Sequence, residues 1–193
     1  MVRKTAFANL CLVAVLATGC ASPPSRFYTL SANASAGPAT SKFAIAVGPV
    51  SVPAAVDQPQ IVVSTGPNQV TFDEFNRWAS PLQDNISRVV AENLVAILGT
   101  PRVTLFPKTL SADAEFRVQI EVRNFESAPG KSASLDAVWT VRRMKDGKSQ
   151  TGRTSVREPI PESSYEALAA AHSRAIARMS QDIADAIQTL ERT

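Results

Sequence analysis

A search for catalytic chemistry begins with the single histidine of this 193-residue chain, His172. An imidazole can serve as a general base or as a metal ligand. A protein metal site takes several ligands, however, and the sequence offers no second histidine to share an ion. His172 also falls in the apolar stripe of a predicted C-terminal helix, so the simpler interpretation is an amphipathic side chain at the edge of a helix interface.

Two pairs of acidic residues are the other candidates for catalysis. Asp73 and Glu74 are adjacent, and Asp182 and Asp185 are one helical turn apart. A glycosidase needs two carboxylates held across a cleft, whereas the second pair lies opposite the apolar stripe and predicts a solvated surface. The sequence also has no G-x-S-x-G elbow, no Walker A loop and no G-x-G-x-x-G motif. We therefore predict no enzyme activity, no cofactor and no metal site.

The two cysteines lie near the N-terminus, at positions 11 and 20. Two basic residues precede an apolar run over residues 6–16, which is shorter than the about 20 residues that a membrane-spanning helix needs. Small residues then lead to Cys20. This order of a basic, an apolar and a small-residue region predicts a signal peptide over residues 1–19.

A cysteine directly after small residues, as in Leu16-Ala17-Thr18-Gly19-Cys20, resembles the lipobox of bacterial lipoproteins. In such proteins the cysteine thiol is alkylated by diacylglycerol, the leader is removed and the new amine is acylated. Several acyl chains hold a protein firmly on a bilayer, whereas a single chain binds only marginally. The resemblance implies lipid attachment at Cys20, and the alternative is an ordinary secretory signal with an incidental cysteine.

The residue after Cys20 decides the target membrane in such lipoproteins. Here it is Ala21, not the Asp that retains many of them at the inner membrane, which implies an outer-membrane anchor facing the periplasm. Cleavage removes Cys11, so the mature domain has no disulfide. It also removes two basic residues and leaves 18 basic against 17 acidic ones. A near-neutral chain lacks the charge that nucleic-acid binding requires, and we exclude that partner class.

The mature chain divides into a tether and one domain. Residues 20–41 are rich in Ala, Ser, Pro and Gly, the composition of a flexible linker. They include one apolar island, residues 26–30, which favours an edge strand docked on the domain. Residues 42–193 are long enough for one hydrophobic core and are predicted to form a single periplasmic α+β domain.

Alternation of apolar and polar residues predicts three long antiparallel strands. They cover residues 115–123, 133–144 and 149–157, with turns at Pro129-Gly130 and Asp146-Gly147. Residues 43–47 alternate as a strand that ends at Gly48-Pro49, and residues 103–106 predict another short strand. Prolines interrupt the apolar pieces at 50–52, 61–63 and 69–72, which predict short edge strands and turns.

Two amphipathic helices complete the predicted fold. Ser80 and Gln83 form a capping-box pattern for the first helix, which ends at Gly99, and Ser163 and Glu166 form one for the C-terminal helix. The apolar stripe of the second helix recurs at steps of three and four: Tyr165, Leu168, His172, Ile176, Met179, Ile183, Ala186 and Leu190. The predicted architecture is an α+β two-layer sandwich, in which two helices cover one face of an antiparallel three-stranded meander with short edge strands.

Prolines make the segment 48–82 unusual, because they fix the backbone and remove hydrogen-bond donors. Arg77 and Trp78 lie in it, and both residue types are enriched at binding hot spots. Trp78 is therefore either an interface anchor or, as the usual burial of tryptophan favours, a side chain packed under the first helix.

The order of motifs along the mature chain resembles the ABC-type transport auxiliary lipoprotein family. These motifs are the lipobox, the Phe27-Tyr28-Thr29-Leu30 island, Gly48-Pro49-Val50-Ser51-Val52-Pro53, Asp57-Gln58-Pro59-Gln60-Ile61-Val62 and Arg77-Trp78-Ala79-Ser80-Pro81-Leu82 before a helix. The family often has Arg after the Asp of the fourth motif, where this chain has Gln58.

The resemblance implies a docking or assembly component rather than a catalyst. Such lipoproteins accompany mammalian-cell-entry (MCE) systems, which move lipids across the envelope, and would receive the end of a periplasmic MCE conduit at the outer membrane. The implied partner is the MCE-domain protein of an ABC transporter, and a homo-oligomeric ring around the conduit fits that role. The predicted partner interface consists of Asp57, Gln58, Pro59, Gln60, Arg77 and Trp78.

Two other functions stay open at this point. The first is a periplasmic carrier lipoprotein that binds lipid in a pocket between the sheet and the helices. The second, more distant, is an envelope hydrolase that uses His172.

Overall fold

The computed structural model describes residues 23–37, 41–107 and 113–193. Over these ranges eight strands, two helices and two sheets form an α+β sandwich, in agreement with the predicted fold class. In chain order the elements are β1 (Arg26–Tyr28), β2 (Ile45–Ser51), β3 (Gln60–Gly66), β4 (Gln69–Trp78), α1 (Leu82–Leu98), β5 (Val103–Leu105), β6 (Phe116–Ala128), β7 (Ser132–Arg143), β8 (Ser149–Pro159) and α2 (Tyr165–Arg192).

The larger sheet has the strand order β5–β2–β6–β7–β8. Its strands β6, β7 and β8 form the antiparallel meander that the sequence predicts. Strand β2, in contrast, lies inside the sheet and pairs in parallel with both β5 and β6, so the prediction of short edge strands is wrong for β2. The chain returns to β5 through helix α1, and a long crossover of this kind can deliver a strand in the parallel direction.

Strand β2 continues through Gly48-Pro49, where the sequence predicts its end. Gly48 has a φ angle of 121°, and the pairing with β6 shifts register between Val47 and Val50. A bulge of this kind accommodates a residue without an N–H inside a sheet. Two predicted fragments, residues 43–47 and 50–52, are therefore parts of a single strand.

Both helices pack against one face of the larger sheet, as predicted. Helix α2 contacts β6, β7 and β8, and helix α1 contacts β2, β5 and α2. The inward side chains of the meander strands and the predicted stripe of α2 meet in a single core, where most are fully buried. Burying an aliphatic side chain of this size contributes about 1.5–3 kcal/mol relative to leaving it exposed.

The helices begin one residue later than the capping-box patterns predict. Pro81 precedes the first residue of α1 and no side chain caps this helix, while the Gln83 side chain donates to Asp57 instead. At α2 the hydroxyl of Ser164 accepts a bond from the Ala167 N–H at 3.1 Å. The predicted end of α1 is confirmed, because Gly99 adopts the left-handed conformation that favours glycine there.

The smaller sheet has the order β1–β4–β3 and lies beside the later half of β6. Strand β4 is ten residues long, although the sequence predicts only residues 69–72. The predicted docking of the 26–30 island is confirmed, because β1 pairs in parallel with the end of β4 and the side chains of Tyr28 and Leu30 are buried.

The chain that follows β1 lies along helix α1. The side-chain oxygen of Asn93 accepts bonds from the N–H groups of Asn33 and Ala34, and the Gly37 N–H donates to the carbonyl oxygen of Ala96. This part of the predicted tether therefore follows the surface of the domain. The division of the chain at residues 19 and 41 stays a prediction, and the signal peptide and Cys20 lie outside the described residues.

Neither helix in the described ranges combines the length and the hydropathy that a bilayer-crossing segment needs. The amphipathic pattern of α2 agrees with this finding, because charged residues occupy its outer face while its apolar stripe packs on the sheet.

Candidate interaction site

The six residues predicted as a partner interface lie together at the junction of the smaller sheet and helix α1. The Trp78 N–H donates to the Pro59 carbonyl oxygen at 2.8 Å, and Gln60 is the cross-strand partner of Arg77. A groove of about 330 Å³ opens beside them. It is lined by Asp57, Gln58, Pro59, Trp78, Ala79, Ser80 and Pro81.

The loop that forms one wall of this groove is held by local hydrogen bonds. The N–H groups of Val56 and Asp57 both donate to the Pro53 carbonyl oxygen, at 3.0 and 3.2 Å. The Asp57 carboxylate then accepts a bond of 3.0 Å from the side chain of Gln83 on α1. Two prolines, Pro53 and Pro59, restrict the backbone further. The groove thus has a wall of fixed shape, which lowers the entropic cost of binding a partner.

Trp78 forms the floor of the groove and is 6% exposed. Its ring packs edge-on against Phe125, with the centroids 6.2 Å apart. This position confirms the interpretation that Trp78 packs in the core near the start of the first helix. Trp78 contributes to the lining of the groove, but its side chain belongs to the core and packs the smaller sheet on β6.

Arg77 has the opposite orientation to Trp78, on the outer side of the smaller sheet. Its Nε donates to the Glu74 carbonyl oxygen at 3.0 Å, and its guanidinium lies 4.0 Å from the Glu74 carboxylate. An ion pair this exposed contributes little to stability. Arg77 is therefore available for contacts outside the domain, although it does not line the groove itself.

His172 is fully buried, and the prediction that it sits at the edge of a helix interface is wrong. Its ring stacks on Phe125 with centroids 3.8 Å apart, and its Nε2 lies 2.9 Å from the Ser127 hydroxyl. Burial disfavours the charged imidazolium and lowers the pKa of His172 to about 3. The residue is thus a neutral part of the core, with no route to a substrate in this conformation.

The acidic pairs occupy surface positions, as the sequence predicts for Asp182 and Asp185. Both lie on the exposed side of α2, and Asp182 accepts a bond from the Thr154 hydroxyl of β8. Asp73 and Glu74 have different partners, since the Asp73 carboxyl group binds Tyr165 of α2 and the Glu74 carboxylate lies 4.0 Å from the Arg77 guanidinium. The described ranges also contain no group of three His, Cys, Asp or Glu side chains placed to hold a metal ion.

One contact that the sequence did not reveal joins the smaller sheet to α2. The Tyr165 hydroxyl donates to Asp73 at 2.5 Å, and the N–H groups of Phe75 and Asn76 donate to the same carboxyl group at 2.9 Å. Partial burial acts to raise the pKa of Asp73, but these hydrogen bonds outweigh it and hold the pKa below its ordinary value. Burial, followed by the Asp73 bond, raises the pKa of Tyr165.

Comparison with known proteins identifies relatives of this chain. The family described as "ABC-type transport auxiliary lipoprotein component" matches residues 28–184, which span the domain from β1 into α2. No curated protein is similar enough to this chain to count as a match.

Two solved structures share the fold. A Xanthomonas campestris protein of the family DUF330 is 18% identical, with a TM-score of 0.71 over 87% of this chain and 100% of its own. A second, described as an uncharacterized protein, is 19% identical, with a TM-score of 0.70 over 86% and 99% of the two chains. A PelC dodecamer from Paraburkholderia phytofirmans is 15% identical over 75% and 91% of the chains, but its TM-score of 0.39 is too low to support an argument about assembly.

Proposed function

Because this chain belongs to the ABC-type transport auxiliary lipoprotein family, we propose that it is an outer-membrane-anchored accessory component of an MCE-type lipid transport system. In this role it docks or assembles the periplasmic conduit and catalyses no reaction. The observation that carries the proposal is the family match itself, which covers nearly the whole described domain. The lipobox-like sequence at Cys20 supports the anchor, and Ala21 supports the outer membrane as its location.

The groove between the smaller sheet and α1 is the proposed docking surface for the MCE-domain protein. Asp57, Gln58 and Pro59 are exposed along one wall, and Ala79 and Ser80 along the other. The mixture of an acidic side chain, an amide, a hydroxyl and the edge of an indole ring is typical of a transient protein interface with a polar rim. Arg77 lies close enough to extend this surface onto the smaller sheet.

A non-catalytic role fits the chemistry of the described side chains. His172, the one imidazole, is sealed in the core and its pKa is far below neutral pH. A general base must reach the proton that it removes. This argues against the hydrolase alternative and supports an interaction role.

The lipid-carrier alternative requires an empty pocket between the sheet and the helices. In the structure that layer is filled by core side chains such as Val118 and Val141 from the sheet and Ile176 and Met179 from α2, each 0% exposed. A lipid could enter only by separating these packed layers. Mass spectrometry of the purified protein tests the point, since a carrier retains a stoichiometric lipid besides the acyl groups on Cys20.

The docking proposal is tested by placing a large charged side chain in the groove. Ala79→Arg puts a guanidinium on an exposed wall, whereas Ala170→Arg places the same side chain on the exposed face of α2 and serves as the matched control. We expect Ala79→Arg to weaken capture of the MCE-domain protein from the same operon about tenfold or more, equivalent to about 1.4 kcal/mol. The control should bind like the unaltered protein.

Substitution of Trp78 is a poor test of the interface, because removal of a buried aromatic side chain costs about 3–5 kcal/mol of stability. Equal capture of the Ala79→Arg and Ala170→Arg variants would contradict docking in the groove. Absence of capture for the unaltered protein would contradict the MCE partnership as a whole.

The anchor is tested separately on protein from its native host. Intact-mass analysis should show cleavage before Cys20 and the added mass of the acyl chains, and membrane fractionation should recover the protein with the outer membrane. An unmodified cysteine, a retained leader, or recovery with the inner membrane would contradict this part of the proposal.

A further inference from the structure

The outer face of the smaller sheet carries large apolar side chains that are about half exposed or more in the described chain. Phe27 on β1 is 64% exposed, and Val70 and Phe72 on β4 are 55% and 48% exposed. We call these three residues the apolar sheet face. Exposed apolar side chains scattered singly are ordinary, but a contiguous patch marks a contact surface.

The strand register shows that these side chains lie on one face. Phe27 pairs with Arg77, and Arg77 pairs with Gln60. Strand β4 then bulges over residues 74–76 while β3 continues, so that Val62, two residues further along β3 than Gln60, pairs with Phe72. Directly paired residues, and residues two apart on one strand, point to the same side of a sheet. Phe27 and Phe72 therefore lie on the same side of neighbouring strands.

The position of β1 in the chain limits what can cover this face. Strand β1 is fixed to β4, and the side chains of Tyr28 in β1 and of Leu30 after it are buried, so the chain is held on the domain from Arg26 onwards. Only five residues separate Arg26 from Cys20, and the six Cα–Cα steps between them span at most about 20 Å. If Cys20 is acylated, as the proposed function requires, β1 cannot move further than this from the bilayer surface.

We propose that the apolar sheet face rests on the phospholipid surface of the membrane that holds the Cys20 acyl chains. Phe27 and Phe72 enter the boundary between headgroups and acyl chains, as the apolar side chains of interfacial segments do. Arg77, on the same face, lies level with the lipid phosphates. Its neighbour Glu74 offsets its charge, so the contact depends on apolar burial more than on anionic lipid.

This contact also orients the domain. Tyr28 on β1 packs against Tyr165 at the start of α2, with the ring centroids 5.7 Å apart. Arg143, at the end of β7, donates to the Leu190 carbonyl oxygen at the other end of α2. A helix of 28 residues is about 42 Å long. The turn after β7 therefore lies at the far end of α2 from β1, whereas the docking groove beside Trp78 lies at the smaller sheet itself.

Single-cysteine labelling tests the contact on the complete lipidated protein. The mature chain has no thiol besides that of Cys20, so a cysteine introduced by Phe27→Cys or Phe72→Cys is the unique site for an environment-sensitive fluorophore. Met144→Cys is the matched control, because Met144 is 43% exposed and lies in the turn at the distal end of α2. The three proteins are reconstituted into phosphatidylethanolamine–phosphatidylglycerol vesicles with brominated acyl chains.

We expect the bromines to quench the labels at positions 27 and 72 roughly threefold more than the label at 144, because the interfacial depth of such contacts is about 5–10 Å. All three proteins should float with the vesicles. Flotation with equal quenching at the three positions would overturn the contact and leave the anchor standing. Loss of flotation by the unaltered protein would overturn both. Protection of position 27 by the MCE-domain protein alone, without quenching by lipid, would assign the face to that partner and overturn the proposal.

Discussion

The burial of His172 predicts that the protein loses stability when the pH falls from neutral to 5. In the folded state the imidazole is enclosed between α2 and β6, and burial lowers its pKa to about 3 from an ordinary value of 6.5. The unfolded chain binds a proton on this residue below pH 6.5, whereas the folded protein does not. The stabilisation that results from the depressed pKa is therefore fully present above about pH 6.5, and it is lost progressively as the pH falls towards 3.

The magnitude follows from these two pKa values. One pKa unit corresponds to 1.36 kcal/mol, so the free energy of unfolding falls by about 2 kcal/mol between pH 7.5 and pH 5. For a protein of this size that change lowers Tm by roughly 4–8 °C. Hydrogen-bonded carboxyl groups such as Asp73 and Asp136 also have lowered pKa values. The ordinary pKa of these carboxyl groups is 3.8, so their contribution to stability is lost mainly below the pH range of this experiment.

The assay is urea unfolding of the detergent-solubilised protein at about pH 7.5, 6.5, 6 and 5, a series that spans the ordinary histidine pKa. His172→Gln is the control variant, since the glutamine side chain does not titrate in this pH range and its amide can still form a hydrogen bond with the Ser127 hydroxyl. This variant is less stable at every pH, but its stability should change little across the series. If both proteins show the same dependence on pH, the folded-state imidazole titrates normally and our account of its burial is refuted.

Two further predictions concern local packing. A Cβ added at Gly152 would lie 2.3 Å from the Trp139 ring, whereas a Cβ added at Gly66 would lie 3.7 Å from its nearest atom. Gly152→Ala should therefore lower the free energy of unfolding in urea by about 1–3 kcal/mol, and Gly66→Ala should lower it much less. Similar costs at both sites would contradict the packing of the tryptophan over Gly152. Ser164→Ala should lower the free energy of unfolding by about 1 kcal/mol, because this hydroxyl caps α2. Ser163→Ala should change the free energy of unfolding by under about 0.5 kcal/mol. A larger loss for Ser163→Ala than for Ser164→Ala would show that Ser163 caps α2, as the sequence predicts.

Several parts of the fold could be predicted because they depend on neighbouring residues. The period of two in Phe116, Val118 and Ile120 specifies a strand with one buried face, and the turns after it specify the meander. The steps of three and four along α2 specify the face that it buries. The gathering of Asp57–Gln60 with Arg77 and Trp78 was also anticipated, but from resemblance to a family and not from periodicity.

Other parts could not be predicted, because they depend on residues far apart in the chain. The parallel direction of β2 and its central place in the larger sheet follow from the crossover through α1, which no short window of sequence contains. The Asp73–Tyr165 bond joins residues 92 positions apart. The burial of His172 on α2 depends on the stack with Phe125, which lies on strand β6, 47 positions earlier in the chain.

The sequence by itself determined the chemical character of this protein: a cysteine directly after small residues at position 20, nearly equal numbers of basic and acidic residues, and a single histidine. These properties are fixed by composition and by local order, and folding does not alter them. The tertiary structure alone decided which strand the docked 26–30 island pairs with, because β1 gains its partners from β4, some fifty residues later. That pairing leaves the side chains of Phe27 on β1 and Phe72 on β4 exposed, a property that no local pattern in the sequence indicates.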